Sequence, residues 1–460
     1  MFTQRQQSSP AVGIVNSMPP RASSSPAVRR LPAGHHGLRR EQIERSQGAR
    51  LQAAMVKSVA EHGYPKTTIR GLAALAGVSP NAFYELYGSK EDCFLATHDA
   101  IAHVAIAHVA KAHEAAGEDW RERLRAAFAA FIETVLAEPQ SAYLAVVETH
   151  SVGAKALEHQ QQALEQHERM VRHSFNLAPH GENVTDTTIK AIVSGTRSIV
   201  YHHLSAGHPQ RLRTLAQPLA EWALSYHAAV DATALEPTAT RTRATARAPR
   251  GDRRPPGNGA RMSPRERIMR AVVALSAEKG YGTLTVPAIT SAAGVSNATF
   301  YEQFRNKHEA FIACYELASR LALGETLASY QAAATWPEAI RASLHTLLGF
   351  IAAHPQFARL SLFEVLAAGP SAREHAMRRS DGFSALLDPG FRLSAEPPPR
   401  IVSALIVGGA WGVIQHHITH GATKRLTELT PALSYVALAP FIGAGEAARV
   451  AGRAVEASSP

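Results

Sequence analysis

The sequence predicts an all-α fold made of two tandem copies of one helical unit. Most segments are rich in Ala and poor in β-branched residues, a composition that favours helix over sheet. The stretch Gly77–Lys90 returns 217 positions later as Gly294–Lys307, with seven of fourteen positions identical and no gap. A chain of 460 residues is also too long for one ordinary core. Together, the composition and the repeat indicate duplicated helical domains.

Each copy begins with a predicted set of three helices. Apolar residues recur at helical spacing before Gly63, and Thr68 can cap a second short helix. Gly77 ends that helix, and Ser79 caps the next one. The second copy repeats these four positions as Gly280, Thr285, Gly294 and Ser296. Helix, tight glycine turn and helix is the order of a helix-turn-helix motif.

The third helix of each set is the candidate DNA reader. A recognition helix begins with small or polar residues that reach base edges and ends near groups that hold phosphates. Asn81 is suited to an adenine edge, and the hydroxyl of Tyr84 is suited to a phosphate. The predicted contacts in the first copy are Pro80, Asn81, Tyr84, Tyr87 and Lys90. Those in the second copy are Asn297, Thr299, Tyr301 and Lys307.

These motifs resemble the N-terminal domain of the TetR family of transcriptional regulators. The resemblance covers about 50 residues in each half, from the Gly-Tyr or Gly-Tyr-Gly turn through Ala-Gly-Val-Ser and Phe-Tyr to the Ser-Lys or Asn-Lys pair. It implies a DNA-binding domain, a helical effector-binding domain and dimerisation through the last two helices. The DNA-contacting positions that it implies are Thr68, Ser79, Tyr84 and Lys90 in the first copy and Thr285, Ser296, Tyr301 and Lys307 in the second.

The repeat and the changes in composition predict seven regions along the chain. They are a disordered basic arm (1–40), helix-turn-helix domain 1 (41–95), helical effector and dimerisation domain 1 (96–235), an Arg/Pro-rich flexible linker (236–261), helix-turn-helix domain 2 (262–312), helical domain 2 (313–447) and a disordered tail (448–460).

Net charge and amino-acid composition limit the classes of binding partner and site that the sequence predicts. The formal net charge of +10 favours a polyanion such as double-stranded DNA. The spacing of the histidines, carboxylates, serines and cysteines predicts no catalytic site, no metal site and no cofactor. Cys93 and Cys314 do not correspond under the repeat, which favours a reducing cytoplasm over a duplicated disulfide. The sequence predicts no membrane span, and the protein is expected in the bacterial cytoplasm, on the nucleoid when it binds DNA.

The expected function is a DNA-binding regulator, and in this family the default is a repressor released by a small apolar effector. In the expected arrangement, the final helices of the two halves, near 185–230 and 398–444, pair within the chain as a pseudo-dimer on unequal half-sites. The first alternative is a homodimer of two chains with four DNA-binding domains. A third interpretation is a ligand-binding or carrier protein, or an enzyme, whose DNA-binding units are vestigial.

Overall fold

A computed structural model describes residues 40–228, residue 235 and residues 262–453, and every regular element in these ranges is helical. The predicted all-α class is therefore confirmed. The predicted basic arm up to residue 39, the linker 236–261 and the tail from residue 454 lie outside the described residues.

The helices of the first half are α1 (Arg40–His62), α2 (Ile69–Ala76), α3 (Pro80–Leu86), α4 (Lys90–Ala115), α5 (Trp120–Ala137), α6 (Pro139–Tyr143), α7 (Thr149–Val152), α8 (Ala154–Asn176), α9 (Asp186–Ser205) and α10 (Ala216–Leu224). A π-helical segment, Leu144–Glu148, joins α6 to α7.

The helices of the second half are α11 (Pro264–Lys279), α12 (Val286–Ala293), α13 (Asn297–Gln303), α14 (Lys307–Ala332), α15 (Trp336–Ala353), α16 (Pro355–Arg359), α17 (Val365–Ala367), α18 (Pro370–Ser384), α19 (Asp388–Leu393), α20 (Ile401–Thr419), α21 (Thr430–Ile442) and α22 (Ala444–Ala451). A second π-helical segment, Leu360–Glu364, joins α16 to α17.

Each three-helix unit has a small core of its own, whereas the two helical domains share one large core. Phe83 is fully buried in the first unit, and its counterpart Phe300 is fully buried in the second. The shared core contains residues of both halves, from Trp120 to Ala451. The helical domains therefore form one continuous hydrophobic body to which the two helix-turn-helix units are attached.

Helices α9 and α20 meet in a reciprocal packing that joins the halves. A Cβ at Gly195 would overlap the carbonyl oxygen of Leu405, and a Cβ at Gly409 would overlap that of Ala191. Each glycine lies 214 positions from its counterpart, and so do the residues it touches. Such mutual contacts are those of an isologous two-fold interface, here formed within one chain. Glycine lets the two helix backbones approach closely.

The structure corrects the predicted start of the C-terminal tail. Residues 448–451 belong to α22, where Val450 is 3% exposed and Ala451 is fully buried. Arg453 forms an ion pair with Glu338 on α15, with Nη1 and Oε1 3.0 Å apart. The prediction was wrong for residues 448–453 because the small Ala side chains let the last helix pack against α15 and α21. Low apolar content alone does not reveal such packing.

Among the residues that the structure describes, two helices, α4 and α20, are long and apolar enough to cross a membrane by length and composition. Both pack within the protein, α4 mainly against α5 and α8 and α20 mainly against α9. Core helices of soluble proteins pass the same test, so this composition is weak support for a membrane span.

Candidate DNA-binding surface and ligand cavity

The turn between the second and third helices has the same geometry in both units. Gly77 has φ 63° and ψ 43°, and Gly294 has φ 61° and ψ 43°, both in the left-handed region that favours glycine. The amide of Val78 donates to the carbonyl of Ala73 at 3.0 Å, and the second unit repeats this bond. The bond satisfies a carbonyl at the helix end and sets the direction in which the third helix leaves.

Helix α3 exposes the polar residues predicted to contact DNA and buries its aromatic anchor. The hydroxyl oxygen of Ser79 accepts the amide of residue 82 at 3.1 Å, which begins the helix. Ser79, Pro80 and Asn81 are exposed, and Tyr84 is 58% exposed. Phe83 is fully buried, and its ring lies edge-on to that of Tyr84 with 5.6 Å between ring centres. Ser79, Pro80, Asn81 and Tyr84 are therefore all accessible to solvent, and their contact with DNA stays a prediction.

Helix α13 presents a similar surface with different polar contacts. Ser296 and Asn297 are exposed, and Tyr301 is 58% exposed, the same fraction as Tyr84. The side-chain oxygen of Asn297 accepts a hydrogen bond from Thr290 at 2.9 Å. The hydroxyl oxygens of Thr299 and Ser296 lie 3.0 Å apart and form a hydrogen bond. Ala73 stands at the position of Thr290 in the first unit, so it cannot hold a side chain in this way.

Thr68 and Thr285 are exposed residues at the N-termini of α2 and α12. Their hydroxyl oxygens accept the amides of Gly71 at 3.1 Å and Ala288 at 3.3 Å. A cap uses the oxygen as an acceptor and leaves the hydroxyl hydrogen as a donor. Each threonine therefore has a structural role that is compatible with the predicted DNA contact.

Lys90 and Lys307 have their ammonium groups turned towards their own domains. Lys90 donates to the carbonyls of Tyr64 and Thr67, both at 3.0 Å, and lies 4.0 Å from the ring centre of Tyr64. Lys307 donates to the carbonyl of Leu284 at 2.6 Å. Burial lowers the pKa of both ammonium groups. An ammonium has three donors, so one remains on Lys90 and two on Lys307 for a phosphate.

Tyr87 lies between α1 and α3 rather than on the exposed surface of α3. Its ring packs against Phe83 with 5.8 Å between ring centres, and its hydroxyl accepts a long hydrogen bond from Gln52 at 3.4 Å. Its counterpart Phe304 is 2% exposed. The structure therefore gives the ring of Tyr87 a packing role.

In each unit, an arginine on the first helix donates hydrogen bonds to the carbonyls of the helix-turn-helix turn. This arginine was not predicted from the sequence. Arg50 on α1 donates through Nη1 to the carbonyls of Ala76 at 2.9 Å and Gly77 at 3.2 Å. Arg267 on α11 makes the equivalent bonds at 3.3 and 2.9 Å. The two arginines are 217 positions apart. This shared position was the available signal, because an arginine retained in both copies of a diverged repeat has a common role.

A glutamate at the end of each π-helical segment, also missed in the sequence, connects each helical domain to its DNA-binding unit. Oε2 of Glu148 accepts the amide of Tyr64 at 2.9 Å, and Oε2 of Glu364 accepts the amide of Tyr281 at 2.7 Å. The first glutamate also forms a buried ion pair with Arg373 of the other half, at 2.9 Å. These hydrogen bonds link the loop after the first helix of each DNA-binding unit to the helical domain of the same half.

The helical domain of the first half contains a mainly apolar cavity of about 430 Å³. Its wall comes from α1, α4, α5, α8 and α9, with apolar side chains such as Val56, Ile101 and Phe131. Cavities that hold small organic ligands have roughly this size and composition. Because α1 belongs to the DNA-binding unit, a ligand in this cavity would touch that unit directly.

The equivalent region of the second half is filled, and only about 30 Å³ remains. Larger side chains occupy positions that are small or polar in the first half, and four of them border the residual space. The pairs, first half then second, are Thr134 and Phe350, Ser141 and Phe357, His167 and Phe383, and Arg197 and Trp411. The two helical domains therefore share a fold but differ in their capacity for a ligand.

Residues 51–97 and 268–314 match the sequence profile of the family described as bacterial regulatory proteins, tetR family. No curated protein matches the chain. Among solved structures, the fatty acid degradation regulator FadR from Bacillus halodurans is 16% identical to this chain. Its TM-score is 0.36, and the match covers 39% of this chain and 94% of that protein. A TetR-like transcriptional regulator from Rhodococcus sp. RHA1 is 19% identical, with a TM-score of 0.34 over 40% and 97%. A TetR family regulator from Marinobacter aquaeolei VT8 is 19% identical, with a TM-score of 0.31 over 36% and 93%.

Proposed function

Both helix-turn-helix units belong to the TetR family of bacterial transcriptional regulators, and from this premise we propose that one chain binds one DNA operator as an intramolecular pseudo-dimer. The reciprocal packing of α9 and α20 carries the proposal, because it supplies within one chain the two-fold interface that a dimeric regulator forms between chains. Two readers joined in this way contact successive major grooves when they lie about 34–36 Å apart.

The operator has two unequal half-sites. Helix α3 offers Pro80 and Asn81 at its start, where α13 offers Asn297 and Ala298. Asn81 is free to meet an adenine edge, whereas the oxygen of Asn297 accepts a bond from Thr290. Phosphate contacts come from the hydroxyls of Tyr84 and Tyr301, which are equally exposed.

A small effector regulates the protein from the first half only. The first-half cavity is large enough for an organic ligand, whereas the equivalent site of the second half retains only about 30 Å³. Effector binding shifts the population towards a state in which the two readers no longer fit the operator. The protein then acts as a cytoplasmic, nucleoid-associated repressor that its ligand releases, with no catalytic role.

Selection of bound sequences from random double-stranded DNA tests this function with the full chain. We expect enriched sites with two different half-sites, and light scattering of the complex should give one chain per site. A perfectly palindromic site bound by two chains would support the homodimer with four DNA-binding domains instead. No enrichment of any sequence would support a carrier protein or enzyme with vestigial DNA-binding units.

A further inference from the structure

The first-half cavity contains one cationic side chain that lacks a carboxylate partner. Arg197 on α9 borders the cavity, and the two hydrogens of its Nη2 are shared among three acceptors. The acceptors are the carbonyl of Val146 at 3.2 Å, Nε2 of His150 at 3.0 Å and the amide oxygen of Gln160 at 2.7 Å. Nε of Arg197 is buried and has no acceptor within the described part of the chain. The guanidinium therefore meets only neutral groups and retains unused donors.

This arrangement is electrostatically incomplete. Burial lowers the pKa of Arg197 to about 10, which means that its surroundings do not compensate the positive charge. Arg373, which is buried, shows the contrasting arrangement, because it pairs with Glu148 at 2.9 Å. That carboxylate also accepts the amide of Tyr64, so its oxygens are already engaged. Arg197 is half-buried, and no described acidic residue pairs with it, whereas a cation removed from water is normally paired.

The position of Arg197 also specifies where an anion would lie. Arg197 borders both the apolar cavity and a larger cleft of about 1260 Å³ between the two halves. The cavity beyond it is lined mostly by apolar groups such as Phe128, Phe131 and Met170. A ligand could therefore place an apolar chain inside the cavity and keep its charged end at the border with the cleft.

We propose that the first half binds an amphipathic monocarboxylate, with the apolar chain in the cavity and the carboxylate on Arg197. This inference rests on the proposed function, since the ligand is the effector of that regulator. A planar guanidinium matches a carboxylate through two parallel hydrogen bonds. One unpaired cation needs one negative charge, and a phosphate monoester would bring about −1.5 to −2. A carboxylate is therefore the anion that fits.

The second half supports the same assignment by contrast. Trp411 occupies the position of Arg197, and Phe383 packs against it with 5.4 Å between ring centres. Arg379 on α18 lies 4.6 Å from the Trp411 ring centre and donates to the carbonyl of Ser361 at 2.8 Å, while its Nε, like that of Arg197, has no acceptor among the described residues. The second half therefore keeps a guanidinium without a described carboxylate partner but has lost the apolar space beside it, so one ligand per chain is expected.

The test uses the full chain and isothermal titration with straight-chain carboxylates from octanoate to hexadecanoate, each beside its methyl ester. At least one carboxylate should bind with one molecule per chain, about ten- to a hundredfold more tightly than its ester. Arg197→Met should reduce carboxylate affinity to that of the ester and leave the ester unaffected. Arg379→Met is the matched control, and it should bind both ligands like the wild type.

The proposal would be overturned if the acid and its ester bound with equal affinity, or if Arg197→Met bound the carboxylate as tightly as the wild type. Binding of two molecules per chain, or no binding by any member of the series, would also overturn it. If Arg197→Met does not fold, Arg197→Gln and the wild-type comparison of acid with ester give the same decision. DNA selection is measured separately on the same protein. Failure to select DNA would overturn the proposed regulator, whereas selected DNA without carboxylate binding would overturn only the ligand assignment.

Discussion

The two halves of this chain keep the same backbone plan and differ in what fills it. Both have a π-helical segment that ends in a glutamate, and both glutamates accept the amide of a tyrosine in the DNA-binding unit. Only Glu148 also pairs with a buried arginine of the other half. Leu157 stands at the position of Arg373 in the first half, so Glu364 meets no buried arginine there and pairs instead with the exposed Arg359 of its own half, at 3.8 Å. Both halves thus keep the hydrogen bond between the helical domain and its DNA-binding unit, whereas the buried ion pair is made by the glutamate of the first half.

The largest expected effect comes from the two glutamates. Glu148→Gln should lower the free energy of unfolding by about 3–5 kcal/mol, because it leaves the buried Arg373 without its counter-charge. Glu364→Gln is the matched control and should cost less than about 1 kcal/mol, since the amide oxygen still accepts the tyrosine amide. Urea unfolding followed by circular dichroism measures both. Equal losses in the two variants would show that the cross-half ion pair does not distinguish them.

The next largest expected difference is in stability, between substitutions in the filled second half and beside the open cavity of the first half. Phe383→Ala should destabilise the protein by about 3 kcal/mol, because it removes a buried ring from a packed region. His167→Ala changes the equivalent position beside the existing cavity, and we expect a loss of about 1 kcal/mol or less. Thermal unfolding of both variants tests the contrast. A larger loss for His167→Ala would mean that the first half is the more tightly packed one.

The two readers should respond separately to mutation. Asn81→Ala should cost about 1–3 kcal/mol of binding free energy and relax base preference only in the half-site read by α3. Selection of bound sequences with the variant shows which half-site changes. Tyr87→Phe is the control, since it introduces the residue that the second copy already has, and it should leave the selected sites unchanged. Relaxed preference in both half-sites would contradict two independent readers.

The smallest expected effect concerns pH. Burial raises the pKa of the Glu364 carboxyl above its ordinary value of 4.5, although the amide of Tyr281 and then Arg359 act in the opposite direction. The folded protein therefore holds this proton more tightly than the unfolded chain. Its contribution to stability is complete below pH 4.5 and is lost as the pH rises through the raised pKa. Glu364→Gln removes this dependence, so the wild-type minus variant difference in unfolding free energy should fall as the pH rises. A flat difference would contradict the raised pKa.

Much of the helix-turn-helix unit was predictable because its signals are local. The caps at Ser79 and Ser296 and the left-handed turns at Gly77 and Gly294 depend on residues a few positions apart. The roles of Lys90 and Tyr87 were harder to predict. Lys90 donates to carbonyls more than twenty residues away, and the Tyr87 ring packs between helices. No local pattern shows whether a cation or a ring faces solvent or its own domain.

The sequence by itself determined the all-α class, the duplication and the family of both DNA-binding units, because caps, turn glycines and helical spacing act over short distances. The predicted DNA contacts remain predictions, although the tertiary structure places most of them on exposed surfaces. Only that structure decided that one half is open and the other filled, and that Arg373 reaches Glu148 across 225 positions. Cavities and buried ion pairs depend on side chains that meet only when distant helices pack.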